Sequence, residues 1–152
     1  MGAVPQFGEP EPGKAYPDRP AAFVIAERDG QIATVRVDYP NGEARLDLPG
    51  GGIDAGEDPG QAAVRECGEE AGLRVELDRE VTRADHFFLT QQDKPVNTRG
   101  VFFAARHVAD APDLKIEDDH TLVWMTAHEA LVRLDRDSHA WAVAAWLRRA
   151  RP

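Results

Sequence analysis

The stretch Gly51-Gly-Ile-Asp-Ala-Gly-Glu57-Asp58-Pro-Gly-Gln61-Ala-Ala63-Val-Arg65-Glu66-Cys67-Gly-Glu69-Glu70-Ala71-Gly72-Leu73 decides how the chain is read. Asp58 precedes Pro59 at a first helical position, and Gln61 stands where a capping box takes Glu or Gln. This predicts a helix running to about Ala71, with Gly72 as its terminator. On that helix Glu66, Glu69 and Glu70 fall at i, i+3 and i+4, so three carboxylates crowd one face within a turn. Such crowding is unfavourable by itself. A hard divalent cation relieves it, because Mg2+ and Mn2+ prefer carboxylate oxygens. Ala63, Cys67 and Ala71, at i, i+4 and i+8, give an opposite face that is small and apolar and suits close packing on a sheet. Upstream, Pro49 with Gly50, Gly51 and Gly52 ends the preceding strand in a bend free of side chains, which lets carbonyls and amides approach a cation and phosphates.

Outward from this segment, Pro5, Pro10, Pro12, Pro17 and Pro20 make residues 1–20 a proline-rich arm, tied down near Tyr16, ahead of one domain over residues 21–150. Residues 21–26 and 32–37 flank a turn at Asp29-Gly30 and predict a hairpin. Ala44-Arg-Leu-Asp-Leu48 alternates apolar with charged residues, as a half-buried strand does. Further strands are expected over residues 75–90, 99–106 and 122–125. Thr126 and Glu129 form a capping box before a helix over residues 130–134. A last helix runs from Asp137 or Ser138 to Leu147, with Trp141, Ala144, Ala145 and Leu147 as its apolar stripe. The set reads as an α+β fold with helices against a mixed β-sheet.

At 152 residues, 42% hydrophobic and 30% charged, the chain suits a single globular domain. Its net charge of -9 repels a polyanion, which argues against duplex nucleic acid. An anionic small substrate is compatible with that charge if a bound cation reverses the field locally. Cys67 is the one cysteine, so no intrachain disulfide forms and a reducing compartment is favoured. No apolar run is long enough to span a bilayer, and no basic region precedes an apolar stretch at the amino terminus. The expectation is a cytoplasmic protein with no membrane partner.

The quoted segment resembles the Nudix box of the MutT-like hydrolases, whose pattern is Gly, five residues, Glu, seven residues, then Arg-Glu-aliphatic-x-Glu-Glu-x-Gly-aliphatic. Gly51, Glu57, Arg65, Glu66, Glu69, Glu70, Gly72 and Leu73 all fall in register. Cys67 departs from the aliphatic position and packs as a small hydrophobe. The resemblance implies an α/β/α sandwich and divalent-metal-dependent hydrolysis of a nucleoside diphosphate linked to another moiety, with water attacking a pyrophosphate phosphorus. By position it implies Glu66, Glu69, Glu70 and the Gly50 carbonyl as metal ligands, with Glu66 as a candidate base. Glu66, Glu69 and Arg65 make the catalytic set, Arg65 pairing with Glu57 to orient the loop against the helix. Gly51 and Gly52 are expected at the substrate. Family members also place an acidic residue shortly before a tryptophan-bearing strand, and Asp118, within Glu117-Asp118-Asp119 ahead of Trp124, is the expected further metal ligand.

Outside the box, Asn97 and Arg99 are candidates to read a base or bind phosphate, against the plainer roles of a turn and a strand edge. One member each of Phe87-Phe88 and Phe102-Phe103 is expected in the core, leaving the other to stack on a base. The histidines read as surface or supporting residues, and His120, beside Asp119, is the one to test. A nucleotide sensor that keeps the fold without cleaving its ligand is the competing class, and the complete Arg65-Glu66 and Glu69-Glu70 pattern argues against it. Isomerisation of an allylic diphosphate would need thiol chemistry that Cys67, packed in the helix, is poorly placed to supply. The ADP-ribose subgroup carries a downstream proline where Leu89 lies here, and the dinucleoside polyphosphate subgroup a tyrosine, whereas this chain has only Tyr16 and Tyr39. Nucleoside triphosphates remain the default substrate, Mg2+ or Mn2+ the cofactor, and a homodimer contact one role for the arm.

Overall fold

Asp58 Oδ1 accepts the Gln61 amide at 2.9 Å while the Asp58 amide donates to the Gln61 side chain at 3.0 Å, and this reciprocal cap starts α1 (Pro59–Ala71) where the sequence places it. Gly72, at φ 67°, ends the helix with its amide on the Gly68 carbonyl. The computed structural model describes residues 2–149, so position 150, the expected domain end, lies outside the described residues.

Eight strands form one mixed sheet: β1 (Gln6–Phe7), β2 (Asp18–Arg28), β3 (Gln31–Asp38), β4 (Ala44–Asp47), β5 (Gly50–Gly52), β6 (Leu73–Leu89), β7 (Pro95–Asp110) and β8 (His120–Met125). The order is β1-β6-β7-β2-β3-β4, with β5 on β2 and β8 on β3. Successive β2 residues face alternate sides, which explains why residues 21–26 are apolar without interruption. Ala22, Val24 and Ala26 pack with Ala63, Cys67 and Ala71 of α1. Phe23 and Ile25 pack with Ala130 of α2 (Ala127–Arg133) and Ala142 and Val143 of α3 (Asp137–Arg149). The result is an α/β/α sandwich. None of its described helices is long and apolar enough to cross a membrane.

The hairpin turn at Asp29 (φ 50°) and Gly30 (φ 79°) is left-handed at both positions, as a tight β-hairpin requires. β2 and β3 then pair only at Glu27↔Ile32 and Arg28↔Gln31. Beyond that point β2 runs parallel to β7 and antiparallel to β5, whereas β3 pairs with β4 and β8. The two arms part, and the wedge between them opens toward the amino-terminal end of β2.

Four expectations are corrected. The proline-rich segment contributes β1, parallel to β6 at Gln6↔Asp85, and β2 starts at Asp18 rather than Ala21. Proline lacks an N–H but keeps its carbonyl: Pro5 and Pro17 accept the Asp85 and Asn97 amides at 2.9 and 2.8 Å. The glycine run is not a strand stop; it is β5, because a chain without side chains can lie tight against β2, where a Cβ on Gly50 would fall 2.3 Å from the Ala22 carbonyl oxygen. On α3 the buried apolar set is Ala142, Val143, Ala145 and Trp146, with Trp141 and Leu147 only partly covered. His139 fixes that rotation. It is enclosed against Phe23 and Phe102 at ring distances of 4.5 and 5.5 Å, and its Nδ1 accepts the Leu48 amide at 3.0 Å, a core role where a surface or supporting one was expected.

Candidate active site

The wedge between β2 and β3 holds a cavity of about 420 Å3, with Gly50 and Gly51 of β5 and Glu66 and Glu70 of α1 in its wall. Phe23, Val35 and Val37 supply apolar surface, and Glu117, Asp119 and His120 line the approach to β8. Glu70 is buried: its Oε1 accepts the Gly50 amide at 3.0 Å and its Oε2 meets His120 Nε2 at 3.1 Å. The Glu66 carboxyl lies so close under Gly51 that a Cβ there would sit 2.9 Å from its carboxyl carbon. Burial raises the pKa of Glu66, and the Glu70 charge raises it further against the opposing pull of Arg65. Burial likewise raises Glu70, while His120 and the Gly50 amide act the other way. For His120, burial alone would lower the ring, but Glu70 and Asp119 (2.7 Å from Nδ1) outweigh it and lift the pKa to about 9. Two partly desolvated carboxylates beside a strand into which no side chain intrudes are a donor set that fits a hard divalent cation.

Arg65 manages the crowding that the sequence exposes. Its Nε and Nη2 make parallel bonds to the Glu57 carboxylate at 2.7 and 2.9 Å, Nη2 also reaches the Gly52 carbonyl at 3.2 Å, and Nη1 donates to Glu66 at 3.0 Å and Glu69 at 2.9 Å. The hydrogen bonds from Arg65 hold the Glu57 carboxyl down at about 2. Glu66 Oε1 is taken by this network, which leaves Oε2 as its other acceptor. Cys67, by contrast, is inert: burial, and after it the Glu70 charge, push the thiol up to about 12.

The structure thus brings together Gly50, Gly51, Glu66 and Glu70. Glu69 and Arg65 stand outside the cavity lining, and the Gly52 carbonyl is turned to Arg65. Asp118 is exposed at the tip of a turn closed by the His120 amide on the Glu117 carbonyl, so its neighbours face inward instead. Ligand atoms of Glu117, Asp119 and His120 lie within 4.8 Å of one another. Asn97 and Arg99, weighed both as ligand contacts and as plain turn or strand residues, stand outside the cavity lining. Both are inside β7, Asn97 bonded to Gln6 at 3.0 Å and Arg99 paired with Asp18 and Asp85 at 3.0 and 2.8 Å, where they stitch the first strands to the sheet. Arg19 and Arg136, which the sequence reading passes over, are the arginines of the cavity wall. Phe88 lines it as well, while Phe87 packs on Tyr16 and Phe102 is core.

Two loops frame the opening. The Ile116 and Glu117 amides both donate to the Glu69 carbonyl, at 2.9 and 3.1 Å, which fastens the segment before β8 to the acidic helix. Across from it, Gln91 in the β6–β7 connection reaches Asp119 at 3.3 Å.

Residues 17–147 match the family model of the NUDIX domain, and the chain belongs to the Nudix family. It is a Nudix pyrophosphohydrolase, and Nudix hydrolases generally need the divalent metal that the acidic residues described above suit. It is similar to the RNA pyrophosphohydrolase of Sphingopyxis alaskensis, 32% identical over 115 residues that cover 68% of this chain and 72% of that one. The CTP pyrophosphohydrolase of Escherichia coli is 29% identical over 109 residues, covering 70% and 75% respectively. The chain spans about half the length of two other curated relatives that it matches. A NUDIX hydrolase from Nitrosomonas europaea superposes with a TM-score of 0.72 over 88% of this chain and 90% of its own, at 18% identity, and shares the fold.

Proposed function

We propose that the chain cleaves the phosphoanhydride of a single small nucleotide, with Mg2+ or Mn2+ held by Glu66, Glu70 and the Gly50 carbonyl. Glu69 adds to the set from the same helix turn, and Glu117 and Asp119 take the part first expected of Asp118. One observation carries this reading: Glu66 and Glu70 converge on Gly50 and Gly51 inside a cavity whose 420 Å3 suits one nucleotide. The bound cation would neutralise phosphate charge and acidify an attacking water. Glu66 then acts as base, a role supported by an Oε2 that Arg65 does not occupy. Arg19, which lies across Gly52, takes a phosphate oxygen in place of Arg99. A relative is named for RNA and another for CTP; the net charge of -9 and a cavity of about 420 Å3 favour the mononucleotide class here.

The test is release of phosphate or pyrophosphate from nucleoside triphosphates, dinucleoside polyphosphates, nucleotide sugars and RNA with a terminal triphosphate. Activity on mononucleotides is expected, lost with a chelator and restored by Mg2+ or Mn2+. Turnover of RNA alone would displace the mononucleotide reading. Tight binding with no turnover of any substrate would make the protein a sensor.

A further inference from the structure

Asp47 closes β4 with a carboxylate that is only 8% exposed yet lines the cavity. Its Oδ1 is fully enclosed and makes no hydrogen bond, and the same holds for Arg136 Nε, 3.4 Å away. The two enclosed atoms face each other as an ion pair closed off from the cavity, while the second carboxylate oxygen and the outer guanidinium nitrogens, on residues that line the cavity, are left for a ligand to engage.

Arg136 is also held still. The Leu46 amide donates to Asp135 Oδ2 at 2.6 Å, the Asp135 amide returns to the Leu46 carbonyl at 3.1 Å, and the Leu48 amide is bound by His139. Residues on both sides of Arg136 are therefore laced to β4, and its guanidinium lies 4.0 Å over the Phe88 ring. A stacked, anchored arginine presents a fixed donor edge. Beside it, Asp47 repels phosphate oxygens, so the pair does not serve the anionic end of the substrate.

We infer that Asp47 and Arg136 read the edge of the substrate's nucleobase, Asp47 accepting a base N–H and Arg136 donating to the carbonyl or ring nitrogen next to it. Leu48 and Phe88, in the wall alongside, offer apolar surface to the flat ring. The inference rests on the nucleotide reading above and adds which residues set base choice. A ribose hydroxyl is the other group able to satisfy either side chain, and the test separates it.

Calorimetry with the four nucleoside 5′-monophosphates, their 2′-deoxy forms and ribose 5-phosphate, on the full chain with Mg2+, reads this directly without turnover. The wild type is expected to prefer one base by at least about tenfold, and Asp47→Asn to compress that preference to about threefold or less, with ribose 5-phosphate binding unchanged. Arg136→Lys, which keeps the charge and loses the fork, serves as the second variant should Asp47→Asn fail to fold, with the same compression expected. Equal binding of all four bases by the wild type overturns the inference, as does an equal loss for ribose 5-phosphate, or discrimination that follows the 2′-hydroxyl alone. Base preference in a chain without turnover would leave this inference standing and remove the hydrolytic one.

Discussion

Glu70 accepts the Gly50 amide at 3.0 Å, so the acidic helix and the glycine strand are joined through an oxygen that faces the site. Glu70→Gln keeps an acceptor for that amide and removes the charge. Its unfolding midpoint is expected within a few degrees of wild type, while turnover falls by about 100-fold or more. Glu70→Ala leaves the enclosed amide unpaired and costs about 1–3 kcal/mol in addition. Thermal melts beside phosphate-release assays check both, and undiminished turnover in the Gln variant would remove Glu70 from the chemistry.

Arg65 neutralises Glu57, Glu66 and Glu69 at once. Arg65→Lys, with one ammonium in place of a fork, is expected to cost about 1–2 kcal/mol, and Arg65→Ala about 2–3 kcal/mol. Removing the cation leaves like charges adjacent, so Mg2+ should raise the melting temperature of Arg65→Ala more than that of the wild type. Equal metal-induced shifts in the two proteins would show that the acidic residues do not share Arg65 with a metal.

Gly50 and Gly56 separate steric from conformational demand. Gly50 has φ 155° and no room for a Cβ beside Ala22, so Gly50→Ala should displace β5, cost about 3 kcal/mol and abolish turnover. Gly56 has φ 82° with nothing within 4 Å, so Gly56→Ala pays only for backbone strain, about 1 kcal/mol, with activity retained. Denaturant titration and kinetics on the two variants check the contrast.

His86 and His139 make folding sensitive to acid. Burial disfavours the charged ring in both, and the Arg136 charge adds to it, so His86 sits at about 4 and His139 well below 6.5. Their stabilising effect is complete above pH 6.5 and is lost as pH falls, because the unfolded chain takes up protons that the folded one refuses. The slope for each is about 1.4 kcal/mol per pH unit while the folded ring stays neutral. Glu66, Glu70 and Asp47, with raised pKa values, oppose this trend. The difference between wild type and His86→Gln in urea titrations at pH 7.5, 6 and 5 isolates one ring, with a shallower acid slope expected for the variant; parallel curves would contradict the assignment.

Local chemistry made α1 legible: both caps, the small face and the acidic face depend on residues within a turn of one another. Side-chain alternation failed at Asp47, because the outward face of β4 meets a cavity wall and the α2–α3 corner rather than water. Strand β5 was illegible for a related reason, since glycines read as freedom in sequence and as close approach only when β2 is beside them. Asn97 and Arg99 carried plausible ligand chemistry, but their partners Gln6, Asp18 and Asp85 lie far away in the chain, and no spacing rule finds them. Asp118 is exposed while Glu117 and Asp119 line the cavity, a placement that the turn at this point decides.

The shared carbonyl of Glu69 has a practical corollary. Because it ties the span ahead of β8 to α1, exchanging either is expected to disturb the acids. The β6–β7 tip over residues 90–94 closes on itself through the Thr90 and Asp93 amides and touches the opposite rim through Gln91. Exchanging it would retune access to the cavity, provided Gln91 is kept so that Asp119 stays in place.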